Sequence, residues 1–213
     1  MRPIAIAAVL LSSIAFAGAA SAQTAPQTAA QTRAQNVALC GDPAPDKAVT
    51  GCTAIIAAGG DKAMSLFDAH FNRGLALAQK NQHGTAIADY DVAAKLRPRD
   101  AALLQSRCWS KAVSGRLTQA LQDCNTSLAL NPKDPDTLEI RGFTYRKMRN
   151  FARSIADYDA ALELRPDAAS TLFGRGVTKH DMGGYDGAKI DFTAARKLDA
   201  EVGARYTLIG VHR

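Results

Sequence analysis

Four cysteines are the residues of this 213-residue chain most able to form covalent bonds. They could make two disulfides, hold a metal or act in redox chemistry, and no Cys-X-X-Cys spacing favours the last two. Four cysteines can form two disulfides in three possible pairings. For Cys108 and Cys124 the alternative is that both are free thiols buried in a helical core. The cysteines are Cys40, Cys52, Cys108 and Cys124.

Two charged residue types recur at one regular interval along the chain, and each arginine is followed at a constant spacing by an aspartate. Four such pairs could form a ladder of ion pairs that sets the register of neighbouring helices. The alternative is a solvated face worth about 0–1 kcal/mol per pair. Use as an anion site is a weaker interpretation, because each arginine has a carboxylate nearby. The pairs are Arg73–Asp89, Arg107–Asp123, Arg141–Asp157 and Arg175–Asp191.

No grouping of residues indicates catalysis. The sequence contains no phosphate-binding loop, no nucleophile elbow and no metal-ligand spacing. The histidines are scattered, and paired carboxylates such as Asp89 and Asp91 recur at the same interval as the arginines. We therefore expect a protein that is not an enzyme and that has no cofactor and no metal site.

The positions of these residues follow from an internal repeat of constant length. The string IADYD occurs at 87–91 and again at 155–159, two repeats apart. Within each repeat, apolar and small residues recur at steps of three and four, which is a helical period. Asparagine or glycine residues interrupt the middle of each row. In three of the four rows a proline follows the second helical segment and ends it. Each row therefore predicts two helices joined by a tight turn. Gap-free rows begin at Phe67, Ala101, Pro135 and Ala169.

Two residues that are equidistant from the turn of a helical hairpin lie opposite each other. Cys108 and Cys124 lie eight residues on either side of Arg116, beside the turn at Gly115. We predict a disulfide between them, worth about 3 kcal/mol in the loop-entropy model. Cys40 and Cys52 would then pair across the turn-like segment 42–46.

The first residues have the form of a secretory signal peptide. Arg2 precedes an apolar run over 4–20, and Ala20-Ser21-Ala22 offers the small residues at which a signal peptidase cleaves. An uncleaved anchor helix is the alternative, but the run is short. Export to the periplasm of a bacterium, or secretion, is the predicted location, with no membrane span after cleavage. The predicted segments are a signal peptide at 1–22, a flexible linker at 23–39 and an N-terminal cap segment with a helix at 40–66.

The four rows resemble the tetratricopeptide repeat, over residues 67–202. Small residues occupy the eighth, twentieth and twenty-seventh positions, and leucine is always thirtieth. The family's tryptophan is absent from the fourth position, and its tyrosine survives once at the eleventh, as Tyr145. The resemblance implies an all-α, right-handed superhelical solenoid of four hairpins with an N-terminal cap helix and a short C-terminal capping helix. The expected units are 67–100, 101–134, 135–168 and 169–202, and the expected capping helix is 203–213.

In this family the first helix of each repeat lines the concave face. The resemblance implies an apolar strip there, with Trp109 as the anchor for a peptide or an amphipathic helix. The alternative is that these side chains pack between helices or are covered by residues 37–66. The expected groove residues are Phe71, Leu75, Trp109, Phe143, Arg146, Lys147, Phe173 and Val177.

The sequence thus favours an exported scaffold for protein–protein interaction, with a protein or peptide partner. A binder of polyanions or envelope polymers is an alternative, because the net charge is +6. That charge is mild and does not by itself predict nucleic acid binding, which export argues against further. A passive structural spacer is the third possibility.

Overall fold

The computed structural model describes residues 28–61 and 63–208. These residues form eleven helices and no strand, so the all-α fold class is confirmed. The predicted signal peptide and the last five residues of the predicted capping segment lie outside the described residues. The helices are α1 (Ala29–Cys40), α2 (Pro45–Ala57), α3 (Leu66–Gln79), α4 (His83–Leu96), α5 (Ala101–Val113), α6 (Leu117–Leu130), α7 (Pro135–Lys147), α8 (Phe151–Leu164), α9 (Ala169–Asp181), α10 (Tyr185–Leu198) and α11 (Val202–Leu208).

Helices α3 to α10 pair in sequence as four antiparallel hairpins, which we number one to four. Consecutive hairpins stack through the second helix of one and the first helix of the next. The first helices α3, α5, α7 and α9 also contact one another in series, and they form a surface that we call the first-helix face. The predicted arrangement of helical hairpins in tandem is therefore confirmed.

The turns inside the hairpins need a residue with positive φ. Gly115 and Gly183 meet this need without strain at φ 79° and 82°, and Asn81 adopts φ 59°. In hairpin three the positive φ belongs to Arg149, one residue before the predicted breaker Asn150. Asn150 instead caps α8, because its side chain accepts a hydrogen bond from the Arg153 amide.

Small residues let the two helices of a hairpin approach closely. In hairpin one, an added Cβ on Gly74 would lie 2.5 Å from Cε1 of Tyr90, so the tyrosine ring packs directly on the glycine backbone. The twentieth and twenty-seventh positions are buried in every hairpin. Their side chains belong to Ala86, Ala120, Ser154, Ala188, Ala93, Ser127, Ala161 and Ala195.

The flexible linker predicted at 23–39 is wrong from residue 29 onward, where α1 begins. Thr28 and Gln31 form a capping box that starts the helix, and the segment is rich in alanine and glutamine, which are good helix formers. Its end packs on α2 at Gly51, where an added Cβ would lie 2.5 Å from the Cys40 amide nitrogen. Pairing with α2 therefore orders a segment that has little apolar surface of its own.

Helices α2 and α11 lie at the two ends of the stack. Helix α2 ends before Gly59 and Gly60, both of which have positive φ. Helix α11 packs on α9 and α10 and buries Val202 and Tyr206. In the part of the chain that the structure describes, no helix has the length and hydrophobicity to cross a membrane.

Candidate functional site: the first-helix face

The predicted apolar strip is interrupted by burial. Phe173 and Val177 are only 2% and 4% exposed, so the interpretation of these two as groove-lining surface is wrong. Phe143 is 2% exposed, and its ring forms part of the wall of a pocket beside Trp109. Phe173 is packed between Phe192 and Tyr206, with ring centroids 5.0 and 4.9 Å away. The cover comes from the fourth hairpin and from α11, which folds back over α9.

The other three apolar residues stay half-buried on the first-helix face. Phe71 and Leu75 pack with Val49 of α2 in the core cluster of hairpin one. A cleft of about 170 Å³ runs beside Leu75 and is bounded by Cys40, Pro43 and Pro45, among others. The N-terminal segment therefore flanks this end of the face, as the alternative interpretation proposed for residues 37–66.

Trp109 lies half-buried beside a pocket of about 200 Å³. Its ring is tilted against Phe143, with centroids 5.3 Å apart. Tyr206 closes the pocket from α11, and its hydroxyl donates a hydrogen bond of 2.7 Å to the Ser170 carbonyl. The pocket is lined by Trp109, Glu139, Ile140, Phe143, Ser170, Val202, Arg205 and Tyr206.

Glu139 is the carboxylate of this pocket. Its Oε2 accepts hydrogen bonds from the Ser170 hydroxyl, at 3.1 Å, and from the Thr171 hydroxyl. Burial raises the pKa of the Glu139 carboxyl, and the two hydroxyl groups act in the opposite direction. The sequence does not single out Glu139, because neither the hydroxyl groups of the next hairpin nor the pocket wall from α11 can be inferred from its position in the row.

The two basic residues expected in the groove, Arg146 and Lys147, are engaged by neighbouring groups of the protein itself. Arg146 Nε lies 3.1 Å from Asp181 Oδ2, an ion pair between α7 and α9. Lys147 Nζ donates to the carbonyls of Ala112 and Val113, at 3.1 and 3.3 Å, and so caps the end of α5. Burial, and after it the charge of Arg146, lowers the pKa of Lys147. Both side chains therefore hold first helices together.

The structure brings together all four predicted arginine–aspartate pairs. In each pair, Nε and Nη2 of the arginine donate to the two carboxylate oxygens at 2.6–2.9 Å. Such bidentate, charge-assisted bonds are stronger than neutral hydrogen bonds. The aspartates are only 2–6% exposed, so the ladder is not a solvated face.

Each arginine also uses its third nitrogen to reach the preceding helical pair. Arg107 Nη1 donates to Asp91 at 2.9 Å, Arg141 Nη1 to Asn125 at 3.0 Å, and Arg175 Nη1 to Asp159 at 2.7 Å. These three acceptors stand at the twenty-fifth position of rows one to three, and that recurrence is a signal which sequence reasoning missed. The corresponding nitrogen of Arg73 donates to Thr53 of α2. The arginines therefore join hairpins as well as closing them.

Extra cations distinguish some of the aspartates. Lys111 Nζ lies 2.7 Å from Asp123, and Lys179 Nζ lies 2.8 Å from Asp191. Burial alone would raise the pKa of Asp191, but hydrogen bonds from Arg175 and Lys179 lower it below its ordinary value. In hairpin one, His70 Nδ1 takes the additional place beside Asp89, at 2.8 Å.

Both predicted disulfides are present. Cys40 joins Cys52 and Cys108 joins Cys124, with Cα atoms 4.5 and 5.5 Å apart. All four cysteines are buried and none is free. Among residues 28–61 and 63–208, no group of three or more His, Cys, Asp or Glu side chains could hold a metal ion.

Comparison with known proteins identifies the repeat. A family model described as tetratricopeptide repeat matches residues 65–101 and 142–188. A structure of MamA from Desulfovibrio magneticus RS-1 is similar, with a TM-score of 0.67 and 17% identity, over 80% of this chain and 94% of that one. MamA from AMB-1 matches with a TM-score of 0.61 and 17% identity, over 85% and 96%. At these identities the likeness shows the fold, and no curated protein sequence matches the chain.

Proposed function

We propose that this chain, whose fold and repeats are those of tetratricopeptide repeat proteins, is an exported scaffold that binds a peptide or short helix of a protein partner. The binding surface is the first-helix face, centred on Trp109. Repeats of this kind present shape and side chains rather than a reaction centre. The proposal accordingly assigns the protein no enzymatic activity.

The observation that carries the proposal is the half-buried Trp109 beside a pocket with largely aromatic and aliphatic walls. Aromatic residues next to desolvated pockets dominate the binding energy of protein interfaces. The Trp109–Phe143 pair is held from below by the core cluster of hairpins two to four. A rigid aromatic platform loses little conformational entropy when a partner docks on it.

Export is supported by the disulfides. Buried disulfides form and persist in oxidising compartments such as the bacterial periplasm. The N-terminal signal sequence predicted at 1–22 has the same implication. We propose a periplasmic or secreted location on these two grounds.

The polyanion alternative gains no support from the arginines. The ladder arginines are bound to aspartates, and Arg146 and Arg165 face Asp181 and Asp136. An arginine that is paired with a carboxylate presents little net positive charge to a polyanion. A partner held by apolar contact is expected to stay bound when salt is raised, since salt weakens only the electrostatic part.

Site-specific crosslinking in the periplasm of the native host tests the proposal. A photoreactive phenylalanine analogue replaces Ala102, on α5 of the first-helix face, and in a control it replaces the exposed Gln122 of α6. We expect a discrete crosslinked species from the Ala102 position only, and its loss when Trp109→Ala is added. Equal capture at both positions, or capture that ignores Trp109→Ala, would favour a passive spacer.

A further inference from the structure

We propose that the pocket beside Trp109 holds one cationic side chain, lysine or arginine, of the bound peptide. This inference rests on the proposed function and names the chemistry of the partner at one position. The carboxylate of Glu139 would meet the charge, and the aromatic walls would hold the aliphatic stem.

The walls are suited to a cation with an apolar stem. Trp109, Phe143 and Tyr206 contribute three aromatic rings, and Ile140 and Val202 contribute aliphatic surface. The faces of aromatic rings attract lysine and arginine, and tryptophan does so most strongly. The methylene groups of such a side chain bury well against apolar surface while the charged head finds a polar partner.

The carboxylate of Glu139 has no ion-pair partner among the described residues. Within the described residues, Glu139 forms no ion pair, and its hydrogen bonds are both to Oε2 from uncharged hydroxyls. Its other oxygen, Oε1, accepts no hydrogen bond from those residues. Burying a carboxylate costs free energy unless it is paired with a cation. A cationic side chain of the partner could therefore bind to Oε1 of Glu139.

The surrounding arginines do not fill this role. Arg165 Nη1 lies 2.9 Å from Asp136, and Arg146 Nε lies 3.1 Å from Asp181. Arg205 is at the rim of the pocket, but its guanidinium pairs with Asp199 at the end of α10. Each of these arginines forms its ion pair with another carboxylate. Burial raises the pKa of Glu139 and the charge of Arg165 opposes this rise from a distance, but within the described residues no cation is in direct contact with the Glu139 carboxylate.

The size of the pocket fits one side chain. A volume of about 200 Å³ is below the roughly 300–1,000 Å³ of pockets that bury drug-sized ligands. It corresponds to about six or seven waters at about 30 Å³ each. Among the four described rows, only row three has a carboxylate at the fifth position. The fifth position of the other rows is Phe71, Gln105 or Phe173, and α11 supplies a wall only here.

Selection from a random peptide display library, run in parallel on different variants, tests the inference. The variants are wild type, Glu139→Gln, Trp109→Ala and the matched control Glu163→Gln, which removes the same charge at an exposed position of α8. We expect peptides from wild type and from Glu163→Gln to share one lysine or arginine among apolar residues. The Glu139→Gln selection should keep the apolar positions and enrich the basic one much less strongly. The chain has a net charge of +6, so enrichment of a cation would run against its overall field.

Affinity measurements on one enriched peptide complete the test. Its lysine is exchanged for norleucine, which keeps the stem and removes the charge, and the sole tryptophan reports binding by its fluorescence. We expect about tenfold weaker binding to wild type and a clearly smaller loss for Glu139→Gln, in which only the aromatic rings still attract the charge. The exchange on the peptide needs no change in the protein, so a folding defect of Glu139→Gln would not mask the result.

The outcomes separate the two proposals. Peptides that bind in a manner dependent on Trp109 but show no basic position, or that tolerate norleucine, would overturn the cationic pocket and leave the proposed function standing. If no enriched peptide depends on Trp109, the proposed function fails and the inference fails with it.

Discussion

Hairpin two and the three hairpins around it bring their helices together differently at the same pair of positions. In hairpins one, three and four, an aromatic ring on the second helix packs on a glycine of the first, as Tyr158 does on Gly142. In hairpin two these positions are Cys124 and Cys108, which form a disulfide. The remaining ring–glycine pairs are Tyr90–Gly74 and Phe192–Gly176.

The comparison shows that the fold sets the distance between the two helices at these positions. Either a ring packed on a glycine or a disulfide can occupy the space between them. A ring packed on a glycine fills the space between the helices and buries apolar surface. A disulfide joins the helices by a covalent bond but has a much smaller volume than the ring. Packing stabilises the folded state, whereas the disulfide acts mainly by restricting the unfolded chain. The same geometry therefore responds to different perturbations in neighbouring hairpins.

The largest expected effect is on hairpin two. Replacing both cysteines, with Cys108→Ala and Cys124→Ala, should lower the free energy of unfolding by about 3 kcal/mol, because the bridge closes a loop of about 15 residues. Urea denaturation in oxidising buffer measures the change. A loss below about 1 kcal/mol would show that packing, and not the bond, holds this hairpin.

A second variant sharpens this result by converting hairpin two into the form of its neighbours. Cys108→Gly with Cys124→Tyr restores the ring–glycine pair, and we expect it to be more stable than the double alanine variant. The gain comes from the apolar area of the ring, about 1.5–3 kcal/mol for a large buried side chain. Equal stability of the two variants would mean that hairpin two has lost the space for a ring.

The next effect concerns the glycines. An added Cβ would lie 2.5 Å from the Tyr90 ring at Gly74 but 3.3 Å from the Tyr158 ring at Gly142. We therefore expect Gly74→Ala to cost about 3 kcal/mol and Gly142→Ala about 1 kcal/mol, as overpacking does. Thermal unfolding of both variants gives the order, and the reverse order would contradict the close contact at Gly74.

The matched control for these variants is Gly84→Ala. Gly84 lies exposed within α4, and an added Cβ there meets nothing within 4 Å. We expect this change to stabilise the protein by about 0.5–1 kcal/mol, because alanine is the better helix former.

The arginine ladder should show a smaller difference between hairpins two and three. Within the described residues Asp157 is bound by Arg141 alone, whereas Asp123 keeps Lys111 when Arg107 is removed. Arg141→Ala should cost about 2 kcal/mol and Arg107→Ala about half as much, because the former leaves a buried charge unpaired. Chemical denaturation of the two variants measures the difference.

A double-mutant cycle checks that the arginine effect is pairwise. Arg141→Ala and Asp157→Ala together should cost less than the sum of the single changes, by about 1–2 kcal/mol. Additive costs would mean that the ladder is incidental to stability.

The smallest expected effect is a pH dependence at the first residue of α4. Burial lowers the pKa of His83, where hairpin two has Leu117. As the pH falls below about 6.5, the unfolded chain takes up a proton that the folded state resists, so stability falls by at most about 1.4 kcal/mol per pH unit. Above that pH the group has no effect. His83→Leu should reduce the difference in unfolding free energy between pH 7.5 and 5.5, and an unchanged difference would exclude His83 as its source.

Features that recur in register could be predicted from the sequence. The hairpins, the arginine–aspartate pairs and the 108–124 disulfide all follow from positions that are equidistant from a turn. Helix α1 could not be predicted in this way, because its stability comes from a capping box and from contact with Gly51 rather than from an apolar period of its own. The third arginine contact was missed because it connects one hairpin to the preceding one.

At the candidate site, too, some features could be predicted from the sequence and others could not. Trp109 could be assigned to the first-helix face from its position in the row. The burial of Phe173 and Val177 could not, because their cover comes from α10 and α11, and the fold-back of α11 depends on the way the last hairpin ends.

By itself, the order of residues along this chain determined that paired helices repeat and which side chains meet within a pair. Contacts of that kind are local, so the spacing along the chain also sets the distance between the atoms. Only the tertiary structure decided that Glu139 lies in a pocket with Trp109 and Tyr206 and forms no ion pair with any described residue. That arrangement joins four helices from different hairpins and the C-terminal end, and its burial depends on how they stack rather than on any interval in the sequence.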